Sequence, residues 1–83
     1  MPTIREVDGF SVRVYTRGEH RPAHVHVEKA GTRMKIIIRP GEVEYHSHKG
    51  RVPTRVEKQR AMAIVAGIVD ECLVVWYRLN ERG

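Results

Sequence analysis

A chain of 83 residues and 9.6 kDa has room for one domain with one modest core, which excludes a catalytic domain joined to a regulatory one. Hydrophobic residues at 41% and charged residues at 30%, with seven glycines and four prolines, exclude collagen-like repeats and low-complexity disorder. The net charge of +5 has a location: residues 33–60 hold eight cations against three acids, while the remainder balances at seven each.

The chain divides into a strand-rich half, 1–48, and a helical segment, 54–82, within a single domain, 1–83. Thr3–Val7 reads as a short strand, Asp8-Gly9 as a tight turn, and Phe10–Thr16 as a strand with Phe10, Val12 and Val14 on one face. These two strands form the first predicted hairpin. After a polar loop, Ala23–Lys29 and Arg33–Arg39 alternate around Ala30-Gly31-Thr32 and predict a second hairpin. With Gly31-Thr32 as its loop, Val27 faces Ile36 and Val25 faces Ile38, while His26 faces Ile37 and His24 faces Arg39. Ser11, Arg13 and Tyr15 then share the histidine side. Glu42–His48 alternates like an edge strand but is bracketed by Pro40-Gly41 and Lys49-Gly50, so it fits an edge strand or a loop.

Thr54-Arg55-Val56-Glu57 is a capping box that opens a helix. Ala61, Ile64, Ile68, Cys72, Val75 and Leu79 then recur at three- and four-residue steps, the stripe that covers a sheet. Met62, Val65, Val69, Val74 and Trp76 widen that stripe and predict a second buried contact, which a homodimer seam along the C-terminal helix would supply. Gly67 marks a bend near Asp70 or a close approach to another backbone. The expected fold is therefore α+β: three or four antiparallel strands with one long C-terminal helix, straight or bent, packed on one face. Cys72 is the sole cysteine, which rules out an intrachain disulfide and suits a reducing cytoplasm, and its helical setting makes it a core residue. No apolar run approaches the length of a membrane span, and no signal-peptide pattern opens the chain.

The strongest local motif is Pro22-Ala23-His24-Val25-His26-Val27, since strand geometry puts both imidazoles on one face about 6.5–7 Å apart. His46-Ser47-His48 repeats the spacing, and His20 stands alone. Three readings are open. His24, His26, His46 and His48 could ligate zinc, with Glu28, Glu42 or Glu44 holding the far ring nitrogens. Alternatively, His24 and His26 with Arg39 could run metal-independent RNA cleavage, one imidazole taking the 2′-hydroxyl proton while a cation stabilises the phosphorane. Otherwise the two histidines are half-exposed sheet residues that hydrogen-bond across strands or touch a partner. Arg13, Tyr15, Arg33, Lys35 and Arg39 are the candidate contacts to RNA or an acidic partner. No Ser-His-Asp spacing, Walker loop or Cys-x-x-Cys pair is present.

Met1-Pro2-Thr3-Ile4, Asp8-Gly9-Phe10, His20-Arg21-Pro22-Ala23-His24-Val25-His26-Val27 and the C-terminal helix together resemble a family of small prokaryotic proteins classed as a domain of unknown function. Its mark is an N-terminal strand pair followed by Pro-x-His-Val/Ile-His-Val. The resemblance implies a toxin–antitoxin-like gene pair, hence a small cognate protein partner and nucleic-acid binding or chemistry. Its motif carries over to Pro22, His24 and His26; His46 and His48 lie outside it. The leading expectation is a cytoplasmic component whose basic, histidine-bearing sheet face binds RNA or an acidic partner without a cofactor. The alternative is a non-enzymatic, zinc-binding regulatory or dimeric interaction module.

Overall fold

The computed structural model describes residues 3–14 and 22–80. Five strands, β1 (Thr3–Val7), β2 (Phe10–Arg13), β3 (His24–Lys29), β4 (Thr32–Arg39) and β5 (Glu42–Gly50), form one antiparallel sheet in sequence order. Two helices follow, α1 (Arg55–Gly67) and α2 (Val69–Asn80). The class is α+β, with one strand or two more and one helix more than the sequence predicts. Tyr15 and His20 lie outside the described residues.

Turn chemistry sets the registers. Asp8 and Gly9 both have positive φ, 51° and 83°, as do Ala30 and Gly31 at 46° and 88°. Two-residue loops with this backbone match the twist of the strands they join. The second loop is therefore Ala30-Gly31, not Gly31-Thr32, and the β3–β4 register moves by two residues. Val27 faces Met34, Val25 faces Ile36, His26 faces Lys35 and His24 faces Ile37. Because the offset is even, every side chain keeps its predicted face.

The segment expected as an edge strand or loop is the longest strand of the sheet, paired with β4 from Arg39↔Glu42 to Thr32↔Gly50. It carries one extra residue: Ile36 faces Tyr45 and Lys35 faces Ser47, so His46 is a bulge. Its far end is tied to the β3–β4 turn, where the Arg51 backbone N–H donates to the Gly31 carbonyl at 3.0 Å. Gly50 has positive φ, and a Cβ there would run into the Gly31 carbonyl oxygen, so only glycine permits this approach.

The capping box forms as predicted: Glu57 N–H donates to Thr54 Oγ1 at 3.1 Å, and Thr54 N–H donates to Glu57 Oε1 at 2.9 Å. Glu57 also holds Arg51 through both carboxylate oxygens, at 3.0 Å each. Arg51 in turn donates to the carbonyls of Ala30 and Lys29, which joins the sheet's turn to the start of α1. The single long helix is instead two. α1 ends at Gly67, Ile68 leaves helical geometry at φ −132°, and its N–H donates to the Val65 carbonyl. A Cβ on Gly67 would meet nothing within 4 Å, so the glycine accompanies a break and not a close backbone approach.

The break lets both helices lie on the same sheet face, α1 over β5 and β4 and α2 over β4 and β3. Phe10, Val12, Val14, Val25, Val27, Met34, Ile36 and Ile38 meet Ala61, Val65, Val69, Cys72 and Trp76 in one core. Of the residues that widened the helical stripe, Val65, Val69 and Trp76 are buried and Met62 packs against the core, leaving Val74 exposed. The two helices thus bury most of the widened stripe within one chain. Among the described residues, no helix is long and apolar enough to cross a membrane.

Candidate functional site

The sheet face turned away from the helices gathers the predicted site residues into cross-strand rows. Ladder partners point to the same side, so Arg13, His26, Lys35 and Ser47 form one row across β2 to β5. Ser11, Glu28, Arg33 and Lys49 form the next, two residues and about 6.8 Å along the strands. His24, Ile37 and Glu44 form a third, on the other side of the His26 row.

The charges in these rows are unequal in availability. Glu28 lies between two guanidinium groups, 3.1 Å from Arg33 Nε and 3.6 Å from Arg13 Nε. Arg39 is held by Glu44 at 2.9 Å. Lys35, at the centre of the sheet and directly across from His26, makes no ion pair or hydrogen bond among the described residues. The row Arg13–His26–Lys35 therefore sets an imidazole between two cations, one of them uncommitted.

His24 is 3% exposed and its Nδ1 lies 2.8 Å from the Pro22 carbonyl oxygen. A carbonyl can only accept, so Nδ1 carries the proton. The ring stands edge-on to that of His26 at 5.2 Å between centroids and 6.2 Å from Trp76. The motif thus has two jobs: His24 is a buried support anchored to its own proline, and His26 is the half-buried histidine of the open face.

Arg39, expected opposite His24, lies two residues beyond that row because of the register change, and Ile37 takes its place. The second His-x-His pair does not join the first. His48 faces Met34 on the helix side of the sheet, within 3.4 Å of Tyr45 Oη, while His46 sits in the bulge, 2.9 Å from Ser47 Oγ. Among the described residues, no three His, Cys, Asp or Glu side chains are grouped to hold a metal ion. Cys72 is no candidate nucleophile, since burial pushes its thiol up to about 12.

The basic block of residues 33–60 is divided by the fold. Arg33, Lys35, Arg39 and Lys49 belong to the open face, whereas Arg51 pairs with Glu57, Arg60 pairs with Asp8 and Lys58 stands over the Tyr45 ring. Arg51 is thereby a structural clasp. A cleft of about 490 Å³ opens beside the Arg13–His26–Lys35 row, between the two hairpin turns and the end of β5, with Ser11, Glu28, Arg33 and Lys49 in its wall. Lys49 and the clamping role of Glu28 escape sequence reasoning: the first needs β5 assigned as a strand, the second needs β2 beside β3.

The family model described as a domain of unknown function (DUF4160) matches residues 9–74. No curated protein and no solved structure matches the chain.

Proposed function

We propose, for a chain that belongs to the DUF4160 family, that the open sheet face binds single-stranded RNA through its phosphates, as one component of a toxin–antitoxin-like pair. The observation that carries this reading is the uncommitted Lys35 across from His26 and Arg13, beside a cleft whose wall adds Arg33 and Lys49. Cations at neighbouring ladder positions suit the repeated charges of a nucleic-acid backbone. Among the described residues, exposed aromatic side chains are scarce on this face, which favours backbone contact over base stacking.

Binding is favoured over cleavage by the burial of His24. Transfer of a proton from the 2′-hydroxyl and return of one to the leaving oxygen uses two accessible acid–base groups. Of the motif's two imidazoles, only His26 is accessible, since His24 is 3% exposed. A role for His24 as the support of that ring explains the motif without catalysis.

The test is fluorescence anisotropy of labelled single-stranded RNA over a salt series, with gel analysis of the same samples. Wild type should bind at low salt and leave the RNA intact. Lys35→Ala should weaken binding and lower the salt slope by about one. Absence of binding at low salt overturns the proposal, and so does a Lys35→Ala variant that binds as wild type. Cleavage that vanishes in His26→Ala would replace binding with a ribonuclease reading.

A further inference from the structure

The outer edge of β5 carries a pattern that its place in the fold does not explain. β5 ends the sheet, and its nine residues are mostly exposed. Edge strands this long offer unpaired backbone groups to any extended chain. Its two terminal charges, Glu42 and Lys49, make no hydrogen bond or ion pair among the described residues. Both face the open side of the sheet, as ladder partners of Arg39 and Arg33.

The bulge makes this edge selective. Before His46 the open-side positions are Glu42 and Glu44; after it they are Ser47 and Lys49, so the alternation shifts by one at the middle of the strand. A regular strand laid along this edge would match faces over half its length and oppose them over the other half. A strand with the same offset at the same point matches throughout. A second copy of β5 running antiparallel has this property: Glu42 falls opposite the partner's Lys49, Val43 opposite the partner's His48, and Glu44 opposite the partner's Ser47. Each pair shares a face, and the free acid of each copy meets the free base of the other. Sliding either copy by one residue would set open-side positions against helix-side ones.

We infer that β5 is a homotypic docking edge, along which two copies of this chain join antiparallel into one continuous ten-stranded sheet with Glu42 of each copy paired to the partner's Lys49. Two-fold symmetry forms every contact twice. Val52, in the connection from β5 to α1, and Val56, in the first turn of α1, are exposed apolar residues. Lys49 also lines the cleft, so the association is measured without RNA.

Sedimentation velocity on the full chain at tens of micromolar and low salt tests it. Wild type should be a dimer. Lys49→Glu and Glu42→Lys each put like charges together at two symmetric positions and should weaken the dimer by about tenfold or more. The combined E42K/K49E variant should restore it. Circular dichroism melts check that each variant is folded. A monomeric wild type overturns the inference. So does a dimer indifferent to both single reversals, or one that the double reversal fails to restore.

Discussion

The two faces of the sheet are built from the same strands, and alternate residues of each strand go to opposite fates. One face of Phe10, Val12, Val25, Val27, Met34, Ile36 and Ile38 is sealed under two helices. The other carries Arg13, His26, Glu28, Arg33, Lys35 and Lys49, on the side the helices leave open. The first face holds the fold together through area removed from water, the second through a few partly exposed ion pairs. A change on the sealed face should therefore act on stability, and a change on the open face on binding.

The largest expected effect comes from emptying the sealed face. Trp76 is 1% exposed and joins α2 to the core. Trp76→Ala should cost about 3–5 kcal/mol, a large part of the ~5–15 kcal/mol available to a small domain. Lys35→Ala on the open face should move stability by no more than about 0.5 kcal/mol. Urea titrations of the two variants give the comparison directly. A Lys35→Ala variant as unstable as Trp76→Ala would erase the distinction between the faces.

The clasp between the layers sharpens the comparison through its pH dependence. Hydrogen bonds from Arg51 and from the Thr54 backbone hold the Glu57 carboxyl at about 2, down from 4.5. A folded-state value below the unfolded one means that the charged form favours the fold. Its contribution is complete above about 4.5 and is lost as the pH falls through about 2. Thermal melts across that range should show wild type losing more stability than Glu57→Gln. Parallel curves would remove Glu57 from the acid response.

Legibility in the sequence followed the strength of the local rule. The Asp8-Gly9 turn, the capping box at Thr54 and the assignment of side chains to faces depend on neighbours in sequence, and all three are present in the structure. The second hairpin was offset because its loop puts Ala30 at positive φ, a conformation that glycine usually takes. β5 is ambiguous in sequence because the turn residues at its ends and the His46 bulge obscure it, and only pairing with β4 makes it a strand. The histidines were countable, but their separation was not. His48 reaches the helix side through that same bulge, and burial divides His24 from His26 through tertiary packing. In the sequence Arg51 is one more cation of a basic block, and only the fold brings the Ala30 and Lys29 carbonyls within its reach.

The smallest expected effect probes the break between the helices. Gly67 is the last residue of α1, is not among the glycines with positive φ, and has open space where a Cβ would stand. Alanine there restricts the unfolded chain without straining the folded one, so Gly67→Ala should stabilise by about 0.4–1 kcal/mol. The gain should appear as a higher urea midpoint with an unchanged slope. If the variant is less stable, the break needs the freedom of glycine, and the sealed face depends on how the two helices are joined as well as on what they bury.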